Sequence, residues 1–358
     1  MDFSFTPDQL LFQDNLRKFL INEVPPERLR ELWQSPSGRC ERLWGQLSDL
    51  GLNLLTVPEQ YGGMGLQMVD VVLLAQECGY AALAEPWVDT ALIGVPLLAA
   101  LDEARAALKQ HWLTRIAEGG TRLAVAQPGQ VLVSDAHVAD LLLLAHGDEV
   151  HALEPAAVRL VRNESMDPSR QLFQVHWTPS AATCVADATQ GRQLWAEAFN
   201  RGAVGTAAQL LGLARRMVDL AVDYTFERKQ FGQPVGSFQA VKHLMANVAV
   251  QVEFAKGPLF RAAWALDQGG PGLDAHVSHA KLACAEAALL AAKNAIQAHG
   301  AMGYTWEVDL QLFMKRAWAL DKTWGDRCLH KARVRQALFD PQAPLGAGQT
   351  FECGGRHA

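Results

Sequence analysis

The residues best equipped for chemistry lie in Tyr224-Thr-Phe-Glu-Arg228-Lys-Gln230-Phe231-Gly232-Gln-Pro-Val-Gly236-Ser-Phe238-Gln239. Arg228 is a permanent cation with planar, forked donors. The amides of Gln230 and Gln239 can both donate and accept hydrogen bonds. Such a trio suits an anionic, hydrogen-bonding ligand, for example a pyrophosphate beside a heteroaromatic ring. Further along, Ala295-Ile-Gln297-Ala-His-Gly300-Ala301-Met-Gly303-Tyr-Thr-Trp-Glu307 sets another amide among small residues where a helix should end.

These groups need rigid elements to hold them. Residues 203–223 are apolar on nearly all sides, with Gly or Ala wherever a neighbouring helix would come close. The run breaks at Gly232, Pro234 and Gly236, and helical patterning resumes near Phe238, so a helix, a tight loop and a second helix are expected. Helical runs over 190–223, 238–268, 274–299 and 307–339 predict an antiparallel four-helix bundle spanning 188–340. Residues 1–118 also read as helices. Thr6 is an N-cap before Pro7, with Leu10, Phe12, Leu16, Phe19 and Leu20 as the apolar stripe behind it. The glycine-rich stretch 54–65 lacks a Lys and the P-loop spacing, and is expected to be a structural turn. Residues 119–187 change to short β-type runs, predicting a small antiparallel sheet domain with a hairpin turn at His146-Gly-Asp-Glu149. Residues 341–358, rich in Gly and Pro, are expected to form a loose tail. The fold class is therefore mainly α.

Composition narrows the function. The chain has 358 residues, enough for two or three domains, and a formal charge of −6 (32 basic against 38 acidic residues). That balance argues against a nucleic-acid or anionic-membrane surface. No apolar run approaches the roughly 20 residues of a membrane span, and the amino terminus lacks a basic, apolar export signal. The six cysteines stand singly, without Cys-x-x-Cys spacing, so neither a metal site nor a disulfide frame is expected and a reducing cytoplasm fits.

Together, Y-x-x-x-R-x-Q-F-G-x-x-x-x-x-F-Q and Q-x-x-G-x-x-G-Y-x-x-E resemble the acyl-CoA dehydrogenase family along the whole chain. The V-P-E-x-Y-G-G-x-G stretch at 57–65 matches that family's helical N-terminal domain. The resemblance implies an N-terminal helical domain, a small β middle domain and a C-terminal four-helix bundle. It also implies FAD as cofactor and oxidation of an acyl-CoA thioester, of fatty or steroid side-chain type, to the enoyl-CoA. An electron-transfer flavoprotein is the implied electron acceptor. Carried over position by position, Arg228, Gln230, Phe231, Phe238, Gln239, Gln297, Gly300 and Ala301 are the implied FAD-binding residues, reaching across a dimer interface to the neighbouring subunit's flavin.

Two departures accompany the resemblance. Only Ala126-Gln127-Pro128-Gly129 stands where the family has a Glu-Pro flavin-wrapping stretch, and the middle domain is short. The carboxylate base that should take the α-proton falls at Trp324 or at Gly202, and neither can accept a proton. Losing both while keeping the glutamine motifs resembles the base-lacking chain of an αβ heterotetramer acting on bulky or steroid side-chain thioesters. Two other readings stay open at this level. One is a homodimer or homotetramer with a displaced base, for which Asp326 is best placed ahead of Glu197 and Asp321. The other is a non-redox acyl-CoA-binding or scaffold protein.

Overall fold

The structure is a computed structural model that describes residues 4–341 other than Pro271. The expected tail from 342 onward lies outside the described residues. Among these, eleven α-helices and nine β-strands follow one another along the chain.

Two compact units divide the chain. One comprises residues up to Pro26, Met68–Leu83 and everything from Ala203 onward; the other comprises Glu27–Gln67 and Ala84–Gly202.

The first unit opens with α1 (Pro7–Glu23), started by a reciprocal cap. The Gln9 amide N–H donates to the Thr6 hydroxyl, and the Thr6 N–H donates to the Gln9 side chain. Leu16 and Leu20 of the expected stripe are buried, whereas Leu10 and Phe12 are exposed. Helix α4 (Met68–Tyr80) packs against α1 and is buried along most of its length. The long helix α7 (Ala188–Glu227) then crosses α4 backbone to backbone. A Cβ on Gly79 would lie 2.1 Å from the Gln209 carbonyl oxygen, and one on Gly212 would lie 1.9 Å from that of Gln76. Only hydrogen fits at either crossing point.

Helices α8 (Gln239–Gln268) and α9 (Leu273–His299) make the largest helix–helix contact of this unit. The α9 face is Ala280, Ala287, Ala288, Ala291 and Ala295, small residues at helical spacing that let the two axes approach. The fourth run of the expected bundle is two helices, α10 (Leu310–Asp321) and α11 (Arg327–Leu338). Between them Trp324 and Gly325 both take positive φ, +53° and +93°. Periodicity passes over this break because apolar residues flank it on both sides.

The second unit holds α2 (Pro26–Gln34), α3 (Glu41–Asp49), α5 (Val95–Ala99) and α6 (Ala106–Ala117) with the strands. The 54–65 stretch closes on itself: the Met64, Gly65 and Leu66 N–H groups donate to the carbonyls of Leu54, Val57 and Leu55. One sheet has the order β1 (Leu123–Ala126), β3 (Leu141–His146), β4 (Glu149–Leu153) and β7 (Cys184–Ala186). The other has β2 (Leu132–Ser134), β6 (Leu172–His176) and β5 (Arg159–Asn163). Pairing is antiparallel except for β1 with β3, which run parallel. The turn at Gly147-Asp148 joins β3 to β4, with His146 facing Glu149. Ala124, Val133, Leu142, Leu144, Leu153 and Phe173 fill the space between the sheets. β2 and β7 are three-residue strands, too short to show alternation in sequence.

Candidate functional site

The expected loop between the first two bundle helices is a two-residue hairpin. β8 (Lys229–Gln230) pairs with β9 (Gln233–Pro234), placing Gln230 opposite Gln233. Phe231 and Gly232 form the turn, at φ +54° and +80°. A tight hairpin needs positive φ at both central residues, so Gly232 serves at no steric cost and Phe231 is held there against its preference. The Val235 N–H donates to the Arg228 carbonyl at 2.7 Å and closes the base of the loop. A groove of about 450 Å³ runs beside the hairpin, lined by Val222, Thr225, Phe226, Pro234, Val241 and Met245, among others.

The second motif sits at the C-terminal end of α9. Gln297 is in the last helical turn, followed by Gly300 at φ +61° and a single tight turn through Tyr304. The two motifs are joined by a ring stack. Tyr224, one helical turn before Arg228, lies 4.2 Å from His299 at an interplanar angle of 17°. His299 donates from Nδ1 to the Ala295 carbonyl at 2.8 Å, and burial pushes its imidazole below the usual range. The stack therefore involves a neutral ring fixed in orientation. It holds the end of α7 against the end of α9.

Arg228, Gln230, Phe231, Gln239, Gln297, Gly300 and Ala301 are all exposed, and Phe238 is half-buried. Among the described residues, the side chains of Arg228, Gln239 and Gln297 make no hydrogen bond or ion pair, whereas Gln230 donates to its neighbour's carbonyl. Phe231, 91 % exposed, meets Phe238 edge-on at 6.1 Å. Phe226, Phe254, Tyr304 and Trp306 are likewise mostly exposed on the bundle. Aromatic surface of this extent beside an uncommitted cation and free amides is what a flavin dinucleotide and a second chain would cover. The residues present thus fit the pyrophosphate end of FAD.

The positions expected for the base are different in kind. Trp324 is 6 % exposed, and Gly202 is buried within α7. The Trp324 carbonyl accepts from His330 Nε2 at 2.9 Å, and the other ring nitrogen of His330 accepts from the Ser278 hydroxyl at 3.1 Å. Lys281, on α9, donates to the carbonyls of Leu320, Asp321 and Gly325 at 3.2, 3.1 and 3.2 Å. Burial lowers Lys281 to about 8, opposed by the nearby Asp321 carboxylate. Burial likewise lowers His330 to about 4, opposed by its bond to Trp324. Asp326 is the N-cap of α11, accepting from the Leu329 N–H at 2.9 Å, and that bond holds its carboxyl below the usual range. Glu197 pairs with Arg201 at 2.8 Å and Asp321 with Lys322 at 2.9 Å.

Lys281 and His330 escaped the sequence reasoning. The one signal for Lys281 is a charge in the middle of an alanine-rich helical face; His330 has none, because its partners are Ser278 and a backbone carbonyl. No helix among the described residues is long and apolar enough to cross a membrane.

Comparison with known proteins agrees with this geometry. Residues 189–338 match the acyl-CoA dehydrogenase C-terminal domain, and residues 6–120 match the acyl-CoA dehydrogenase N-terminal domain. The chain is 30 % identical over 316 residues to acyl-CoA dehydrogenase IpdE2 of Mycobacterium tuberculosis, covering 87 % of this chain and 91 % of that one. The fold is shared with the ChsE4-ChsE5 complex of the same organism (TM-score 0.83, 21 % identity, 95 % of this chain and 100 % of the other). It is also shared with the Tcur3481-Tcur3483 steroid ACAD G363A variant (TM-score 0.80, 21 % identity, 92 % and 97 %).

Proposed function

Because the chain belongs to the acyl-CoA dehydrogenase family, a family of FAD-dependent oxidoreductases, we propose that it is the partner subunit of a hetero-oligomeric member. In that assembly it completes a flavin site whose catalytic carboxylate sits on a homologous chain. One observation carries this: the side chains of Arg228, Gln239 and Gln297 are exposed and uncommitted, while the two base positions are Trp324 and Gly202.

The chemistry supplied by bound FAD is acceptance of hydride from the β-carbon of the thioester, coupled to loss of the α-proton to a carboxylate. Within this chain, Arg228 would set its fixed charge against the pyrophosphate, and Gln230, Gln239 and Gln297 would orient it through their amides. Phe231 and Phe238 would offer an apolar wall. Gly300 and Ala301 would leave room for close approach, since a Cβ at Gly300 meets no atom within 4 Å. The exposed aromatic surface supports a bundle-to-bundle contact with the other chain, as dimers paired into an αβ heterotetramer. A bulky or steroid side-chain acyl-CoA is the favoured substrate class, with an electron-transfer flavoprotein as acceptor.

A displaced base within this chain is poorly supported, because Asp326 caps a helix and the bond that does so lowers its basicity. The test is to purify the chain alone and together with a co-expressed homologue that carries Glu at the place of Trp324 or Gly202. Alone, the chain should hold little FAD and show no dye-linked acyl-CoA oxidation; the pair should show both. Full activity with bound FAD from the isolated chain would overturn the proposal.

A further inference from the structure

Away from the bundle, the second unit brings three unlike donors together. Glu149 and His151 are two residues apart on β4 and so share a face of the sheet. The pairing of β4 with β7 puts Cys184 directly opposite His151, next to a register shift at Val150/His151. A carboxylate oxygen of Glu149, a ring nitrogen of His151 and Cys184 Sγ all lie within 4.8 Å of one another. The ligands come from strands far apart in sequence, which is why the spacing of the cysteines gave no sign of them.

Hydrogen bonds hold the His151 ring at both of its nitrogens. The Thr183 hydroxyl lies 2.9 Å from His151 Nδ1 and 3.1 Å from the Ser180 carbonyl. With Nδ1–H donating to Thr183, Nε2 would present its lone pair beside Glu149 Oε2, 3.1 Å away; in the other tautomer Nε2–H donates to that carboxylate. Orientation of an imidazole by a hydroxyl or carbonyl on its far nitrogen is the usual support of a metal-bound histidine. His151 is 1 % exposed, and Trp177 packs over it at 4.9 Å between ring centroids. Cys184, half-buried beside the same carboxylate, has its thiol pushed up by burial and by Glu149, an arrangement that a bound cation would reverse.

We propose that Glu149, His151 and Cys184 form a zinc site that staples β4 to β7. The donor set of one sulfur, one nitrogen and one oxygen suits a borderline-soft divalent ion, and a four-coordinate zinc ion sets its donors roughly 3.3–3.7 Å apart. The present trio closes to that size by side-chain adjustment of about an ångström. A water completes the fourth position. Binding displaces the Cys184 proton to solvent, so affinity rises with pH.

The test uses the full chain stripped with a chelator and titrated with Co²⁺ and then Zn²⁺. One equivalent of Co²⁺ should produce visible d–d bands of a tetrahedral ion and a thiolate-to-metal charge-transfer band, both displaced by Zn²⁺. Cys184→Ser should abolish the charge-transfer band. Glu149→Gln, at a partly exposed position that the fold tolerates, should weaken binding at least about tenfold. Zn²⁺ should raise the melting temperature of the wild-type chain and not that of Cys184→Ser. Absence of a stoichiometric band would overturn the proposal. A band unchanged in Cys184→Ser would also overturn it, because another cysteine would then be the ligand.

Discussion

The hairpin at 229–234 and the turn at 322–326 lie in the same unit and differ in how their polar groups are used. Around the hairpin, Arg228, Gln239 and Gln297 point outward and bond to nothing among the described residues. Around the turn, Lys281 and His330 are fully buried, and every hydrogen bond they make goes to the chain itself. Buried polar groups are costly unless satisfied, so the turn is organised for stability. Exposed groups held on a rigid frame are organised for a ligand. Under the proposed function, the position of the carboxylate base is here an indole packed at that turn, and the exposed polar groups lie at the hairpin. That contrast separates holding a cofactor from acting on a substrate.

The sharpest way to break the contrast is Lys281→Met, which removes the buried donor to the Asp321 and Gly325 carbonyls, while the Leu320 carbonyl keeps the Thr323 N–H. Stability should fall by about 3 kcal/mol or more, read from the urea midpoint of the purified chain. A loss below about 1 kcal/mol would show that the turn does not depend on this side chain.

The next effect is in pH. Both buried groups have their folded values depressed, His330 from 6.5 to about 4 and Lys281 from 10.5 to about 8. Between each pair of values the unfolded chain holds more protons than the folded one, so stability rises with pH across both windows. Acidification from 6.5 to about 4 should therefore remove up to about 3 kcal/mol through His330. Raising pH from about 8 toward 10.5 should add stability through Lys281. Denaturation series with His330→Gln should flatten the acid window alone.

At the hairpin the expected signature is the opposite, with binding lost and stability kept. Arg228→Ala should lower the FAD affinity of the co-expressed assembly about 10- to 100-fold, the value of one or two charge-assisted hydrogen bonds. Its melting temperature without FAD should not change. An unaltered flavin content would remove Arg228 from the site. Smallest of all is Asp326→Asn. Asparagine caps a helix nearly as well as aspartate, so a change of about 0.5 kcal/mol or less is expected, with turnover of the assembly unchanged. A large loss of turnover with intact FAD would make Asp326 the base after all and erase the distinction between the two regions.

Much of this was readable from residues close together in the chain. Thr6 before Pro7, the breakers Gly232, Pro234 and Gly236, and the Gly and Ala spacing of 203–223 in α7 each act within a turn or two, so their patterns survive in sequence. Amino-acid types alone also determined that Trp324 and Gly202 cannot act as bases. Tertiary contacts decided everything that depends on distant partners. They broke the fourth bundle helix at Trp324, stacked Tyr224 on His299, and gave Lys281 and His330 their carbonyls. They also set Cys184 opposite His151. Whether a polar side chain is free for a ligand or committed to the fold depends on which groups arrive beside it from elsewhere in the chain. No local pattern carries that information.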